Sequence, residues 1–303
     1  ALSSAASDVY KRQLVGSLRL VQDTSGSGKS AAQLIADGKC SAALDESGEA
    51  TNLQTVSYSD TTWALLFNAA EGSVFQNQQL RQALAGIARE NATVPSGGLY
   101  AAAKGLVPEG LTVDGLDYRD AAGDPLPTIS EPKALYLAAR QGMATSDFSG
   151  VTLLLPKSAG LTELADQINS AWQKECSLFF SVEEVEQDEF DARIAAGKYT
   201  IALAPIRAEG GSVYQMLQQF TTAGGSLTGY ADPVYADRLA LSAQQTGKDL
   251  CALLAQCERQ LLESCTVVPL MAQQKRLPLA NGVRDLVFDP FFPVLDLTWA
   301  KMS

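Results

Sequence analysis

Histidine is absent from all 303 residues. Its absence removes the commonest general base, the commonest metal ligand and every Ser/His or Cys/His nucleophile pair, which excludes most familiar hydrolase mechanisms. Basic residues are also few, with 23 Lys and Arg against 34 Asp and Glu and a net charge of -11. Nucleic-acid binders present clustered Lys and Arg, so no nucleic-acid partner is expected. Long apolar runs are missing too: no stretch approaches the roughly 18 consecutive apolar residues of a membrane-spanning helix. The five cysteines, Cys40, Cys176, Cys251, Cys257 and Cys265, form no CxxC pair and no zinc-like spacing, so they read as free, mostly buried thiols. Neither a metal nor a cofactor is expected from this composition.

What remains is 46% hydrophobic residues, enough to bury a full core in one large domain or two lobes. The most informative stretch runs from Asn68 to Glu90, where Leu80, Ala83, Leu84 and Ile87 fall at i, i+3, i+4 and i+7. That spacing predicts an amphipathic helix with Arg81, Gln82, Arg89 and Glu90 on its polar side. Earlier, short strands are predicted at Leu18 to Val21 and Ser41 to Leu44, on either side of a helix from Ala31 to Asp37 that Gly38 ends. Residues 94–130 are rich in Gly, Pro and Asp without periodicity and predict a long irregular excursion. Pro132 then sits in the first turn of a helix reaching Gln141.

Three apolar strand candidates follow, Val151 to Leu155, Leu178 to Val182 and Tyr199 to Ala204. Between them lie a helix with the stripe Leu161, Leu164, Ile168, Ala171 and Trp172, and a helix from Gln187 to Ala196. This βαβαβ alternation predicts a parallel sheet covered on both faces. Beyond it come a turn at Glu209 to Ser212, helices at Val213 to Phe220, Pro233 to Gln245 and Asp249 to Ser264, and a strand at Thr266 to Met271.

Two constellations imitate chemistry. Ser27 to Ser30, SGKS, looks like the end of a phosphate-binding loop, but Asp23 occupies the position of the first glycine. A carboxylate there repels phosphate, and a solvent loop with a capped helix is the expected role. The acids Glu183, Glu184, Glu186, Asp188, Glu189 and Asp191 lack calcium-loop spacing and suit a helix N-terminus.

The order of residues goes further than periodicity. Phe67, Asn68, Phe75, Leu80, Arg81, Gln82, Ala83, Leu84, Ile87, Arg89 and Glu90 resemble a conserved segment of the family 5 solute-binding proteins of ABC transporters, which include oligopeptide, dipeptide and nickel binders. Leu106, Val107 and Pro108, then Asp232, Pro233, Asp237 and Leu239, and then Thr266 to Met271 resemble later segments in the same order. The family's acid before its last Arg is Ala88 here. The resemblance, over residues 17–303, implies an α/β, periplasmic-binding-protein-like (type II) two-lobe fold, incomplete, with a βαβαβ second lobe. It implies residues 17–58 as a remnant of lobe I, 59–266 as the ligand-binding lobe II and 267–303 as the return to lobe I. Residues 1–16 read as a non-native or disordered leader: Ala1 to Gln13 resemble a translated sequencing adapter, and the family's first half and signal segment are expected upstream.

By the same resemblance, the chain is expected to be a non-enzymatic, monomeric component of an importer. It captures peptides or peptide-like solutes by closing two lobes about a hinge, crossed near Ser57 to Leu65 and again near Val267 to Met271. Its partners are the solute and the ABC permease subunits, and its place is extracytoplasmic, periplasmic or lipid-anchored. Ligands of open α/β sheets bind beyond the carboxyl ends of strands, which points to the loop after Ala204. There the peptide binders' acidic anchor is replaced by Arg207, or displaced to Glu209. Tyr214, Asn68 and Trp63 complete the candidate cleft wall, with core packing the plainer role for each. The changed loop keeps nickel complexes, opines and glycans open. A carboxylate-based hydrolase and a sensory module on the same fold are the alternatives.

Overall fold

The structure, a computed structural model, describes residues 29–45, 53–96, 98–221, 225–289, 294–296 and 301–302. The predicted strand at Leu18 to Val21, the leader, Asp23, Ser27 and Gly28 lie outside the described residues. The chain divides into two compact units: residues 1–58, 97–99 and 274–303 form one, and residues 59–96 and 100–273 the other.

In chain order the elements used below are α1 (Ala31–Ala36), β1 (Gln54–Phe67), α2 (Gln78–Asn91), β2 (Tyr100–Ala102), β3 (Thr112–Val113), β4 (Leu116–Asp117), α3 (Tyr118–Ala122), α4 (Pro132–Ala139) and β5 (Thr152–Pro156). They continue with α5 (Thr162–Cys176), β6 (Ser181–Val185), α6 (Gln187–Ala195), β7 (Ile201–Arg207), α7 (Val213–Gln218), α8 (Pro233–Ser242), α9 (Gly247–Glu263) and β8 (Val267–Leu279).

In the smaller unit Ser30 caps α1 in a reciprocal capping box with Gln33, and Lys29 pairs with Asp37. These two residues of the SGKS stretch therefore act on their own helix. Residues 41–45 form no strand; isolated bridges join Ala42 to Leu279 and Asp45 to Arg276.

The larger unit is built on a six-stranded sheet in the order β2-β8-β1-β7-β5-β6. The βαβαβ run is parallel, β5 pairing with β6 on one side and β7 on the other. The sheet as a whole is mixed rather than parallel, because β1 joins β7 antiparallel, with Phe67 opposite Ile201 and Thr61 opposite Arg207. Alternate residues of a strand face opposite sides. Trp63, Leu65, Phe67, Leu153, Leu155, Ile201 and Leu203 lie in one core with side chains of α2, α4 and α5. Leu66, Leu154, Ala202 and Ala204 point the other way and are buried as well, so both faces are covered.

In α2 the predicted stripe is fully buried, each Leu or Ile contributing about 1.5–3 kcal/mol. Arg81 departs from expectation. It is 5% exposed, and its guanidinium donates to the carbonyls of Phe75, Gln76 and Ser264. Desolvation lowers its pKa from the ordinary arginine value. Gly86 lets α2 approach the segment leading into α4, where a Cβ would stand 2.8 Å from Pro132 Cβ and 3.0 Å from Ile129 Cγ2. Trp172 of α5 ties its ring to the carbonyl of Leu84 at 2.9 Å.

The strand predicted at Leu178 to Val182 begins three residues later. Asn169 clamps both backbone groups of Phe180 with its amide, and Ser177 turns at φ 55, so residues 178–180 serve the end of α5 instead. The excursion over 98–130 holds a β3–β4 hairpin turned by Asp114 and Gly115, both at positive φ, as an Asp-Gly turn requires. It is pinned to α9 by Glu258, which is completely buried. Glu258 Oε1 accepts from Leu106 N at 2.8 Å, Val107 N at 2.9 Å and the Arg119 guanidinium at 2.9 Å, and Oε2 accepts from the Tyr118 hydroxyl at 3.0 Å.

Candidate functional site

The carboxyl ends of β5, β6 and β7 lie along one rim of the larger unit's sheet, where open α/β sheets hold their ligands. Arg207 is the last residue of β7, opposite Thr61 of β1, and the Ala208 amide donates to the Asp60 carbonyl at 2.8 Å. A short turn of 3-10 helix at Glu209–Gly211 follows, then α7, whose N-terminus Ser212 caps by accepting from Gln215 N. Arg207 and Glu209 are exposed and Tyr214 is half-buried; the first two lie at the end of β7 and in the turn after it, and Tyr214 in the first turn of α7 that follows. The Arg207 carbonyl accepts from the Gln219 amide at 3.0 Å, which fixes the loop's entry.

Trp63 and Asn68 are placed differently. Trp63 lies within the sheet, 6% exposed, its indole donating to Gln273 Oε1 at 3.2 Å. Asn68 follows the far end of β1, seven residues beyond Thr61 of the Arg207 pair, or about 24 Å at strand rise. Its amide donates to the carbonyls of Gly197 and Tyr199 and accepts from Ala70 N. Asn68 thus holds the turn entering β7, away from the rim.

Other residues stand at the rim that the sequence did not place there. Lys157 follows β5 and Glu186 follows β6, and they pair at 2.8 Å; that hydrogen bond raises the Lys157 pKa. Ser158 donates to Gln187 Oε1 at 2.7 Å beside them. Lys157 and Ser158 stand just past the predicted strand Val151 to Leu155, which is the signal that would have found them; Glu186 directly follows β6 as observed. Of the other acids of the run, Glu183, Glu184 and Asp191 are engaged locally. Arg193 grips Glu183 with two bonds of 2.6 and 3.0 Å, chiefly lowering its pKa by hydrogen bonding, Thr162 bonds Glu184, and Gln187 bonds Asp191. Among the described residues no three His, Cys, Asp or Glu side chains are grouped to hold a metal ion.

No family model matches the sequence, and no curated protein matches it. Solved structures do match. The oligopeptide ABC transporter substrate-binding domain of Bacillus anthracis superimposes with a TM-score of 0.69 at 17% identity, over 89% of this chain and 56% of its own. Its fold is that of the ABC-transporter substrate-binding proteins. Listeria monocytogenes OppA bound to peptide gives a TM-score of 0.67 at 18% identity, over 94% of this chain and 57% of that one. HbpA2 from Haemophilus parasuis gives 0.70 at 16%, over 90% and 55%. The periplasmic-binding-protein-like α/β fold expected from the resemblance is present, and the chain spans about half the length of these substrate-binding proteins. Among the described residues no helix is long and apolar enough to cross a membrane.

Proposed function

We propose that this chain is the solute-binding component of an ABC importer, taking peptides or peptide-like small solutes outside the cytoplasm and delivering them to permease subunits. It binds and releases; it does not turn its ligand over. In this reading residues 17–58 and 267–303 belong to lobe I and residues 59–266 form lobe II. The lobes close about a hinge near Ser57 to Leu65 and Val267 to Met271. Arg207, Glu209 and Tyr214 meet the solute, while Trp63 and Asn68 hold the sheet that carries them. The observation that carries the reading is the correspondence of 94% of the chain with a structure described as peptide-bound. The exposed loop at the carboxyl end of β7 supports the choice of residues.

A thermal-shift screen against di- to hexapeptides tests it. Saturable stabilisation is expected, about 2.7 kcal/mol at a ligand concentration one hundred times Kd. Arg207→Ala should weaken binding at unchanged stability. Asn68→Ala should instead destabilise the protein, by about 1–3 kcal/mol for the carbonyls it orphans. Absence of stabilisation by any peptide, or cleavage of the stabilising one, would overturn the proposal.

A further inference from the structure

In the larger unit Leu137, Phe179, Val234 and Leu241 show large apolar side chains to solvent. Val234 and Leu241 stand along α8 on either side of Asp237, an acid. Leu137 and Phe179 keep the opposite company. Lys133 precedes Leu137 by one turn of α4 and Arg140 follows it by three residues, and residues 132–141 hold no acid. Lys133 reaches Glu175, near the end of α5, at 3.2 Å, and Lys174 lies 3.8 Å from the same side chain. Arg140 donates to hydroxyls, those of Tyr136 at 2.7 Å and Thr145 at 3.2 Å, which leave its charge unneutralised. Burial and then Glu175 raise the Cys176 thiol while Lys133 and Arg140 oppose them, so both cations stand close to the end of α5. Three cations here share one acid, in a chain whose net charge is -11.

Phe179 comes three residues after Cys176 and is 65% exposed, against 60% for Leu137. Its backbone is held from both sides. Ser177 turns at φ 55, the Leu178 amide donates to the Trp172 carbonyl at 3.4 Å, and Asn169 clamps both backbone groups of Phe180. The fold therefore fixes an aromatic ring in water, beside cations, at the amino end of β6. The rim that carries Arg207 lies at the other end of these parallel strands.

We infer that Leu137 and Phe179, ringed by Lys133, Lys174 and Arg140, rest on an anionic phospholipid surface. The two apolar side chains enter the headgroup layer, and the cations meet lipid phosphates. Apolar residues flanked by Lys and Arg are the composition of an interfacial contact, and long cationic side chains can lie along apolar surface while their charge stays among headgroups. Two side chains fall far short of the roughly 800 Å² that each partner of a stable protein complex buries, which favours lipid over a protein. Seated this way, the lobe keeps its rim free.

Flotation of the full chain with vesicles of equal phosphatidylglycerol and phosphatidylcholine tests the inference. Those vesicles should carry the protein, vesicles of phosphatidylcholine alone should not, and binding should fall as salt rises. Leu137→Ser/Phe179→Ser, at unchanged circular dichroism, should weaken binding about tenfold. Lys133→Gln/Lys174→Gln should weaken it about twentyfold, at about fivefold for each cation near an anionic surface. Phe179→Trp keeps the bulk, and its emission should move to shorter wavelength on the mixed vesicles; should the serine variant not fold, that shift decides. Failure to float with the mixed vesicles, equal binding to both compositions, or equal binding by either folded double variant would overturn the inference. So would an unmoved Phe179→Trp emission, or a concentration-dependent dimer that the serine variant abolishes while vesicles leave the protein in solution. Peptide affinity enters none of these readouts, so the inference stands or falls apart from the proposed function.

Discussion

Glu258→Gln is the sharpest test of how the excursion over 98–130 is held. The substitution keeps the side chain's shape and one carbonyl oxygen, which can still accept from Leu106 N and Val107 N. It removes the charge facing Arg119, a residue only 8% exposed, and turns an amide toward the Tyr118 hydroxyl. Breaking a buried pair from one side costs about 3–5 kcal/mol, because the remaining charge is left uncompensated. The surviving acceptor places the expected loss near the lower end, about 3 kcal/mol. The double variant Arg119→Met/Glu258→Gln removes the stranded charge while keeping the acceptor for the two amides. It should therefore be more stable than Glu258→Gln alone by about 1 kcal/mol or more, despite losing Arg119's bonds to the carbonyls of Val107 and Gly123. Urea unfolding followed by tryptophan fluorescence measures both, and amide exchange at Leu106 and Val107 reports whether the excursion opens first. A Glu258→Gln protein within about 0.5 kcal/mol of the parent would refute the reasoning. So would a double variant no more stable than the single.

Two further predictions concern packing and titration. Gly86→Ala gains helix propensity worth about 1 kcal/mol, yet its Cβ would press on Pro132 and Ile129; a net loss of about 1–2 kcal/mol is expected from overpacking, and a gain in Tm would show that α4 yields freely. Burial raises the thiols of Cys176, Cys257 and Cys265 to about 11. Their folded values exceed the unfolded thiol value of about 8.5, so the stability they contribute is complete below that pH and is lost as pH rises through about 11. A urea midpoint flat from pH 8.5 to 11 would contradict this, as would iodoacetamide labelling of these three ahead of half-buried Cys40.

The elements that could be read from sequence are those whose periodicity reports local burial. The stripe of α2, the run Val151 to Leu155 and the helix carrying Trp172 each show one face or one buried strand in consecutive residues. Failures came where a distant group decides. Leu178 and Phe180 look like strand until Asn169, eleven residues back, takes the Phe180 backbone. Arg81 looks solvent-facing until the Ser264 carbonyl, supplied by the far end of α9, demands a donor. Glu258 looks like one more polar residue of an amphipathic helix, and only the return of residues 106, 107, 118 and 119 makes it a hub. The rim was legible in outline, since strands predict where their ends lie. Its ion pair between Lys157 and Glu186 was not, because the partners come from separate crossovers.

Arg81 and Asn68, two of the most recognisable letters of the family segment, spend their side chains on main-chain carbonyls. They are rivets of the scaffold. Side chains bound in this way fix the scaffold whatever stands at the rim, so the segment that most resembles the solute-binding proteins bears on the fold and leaves the loop at Arg207 free to vary.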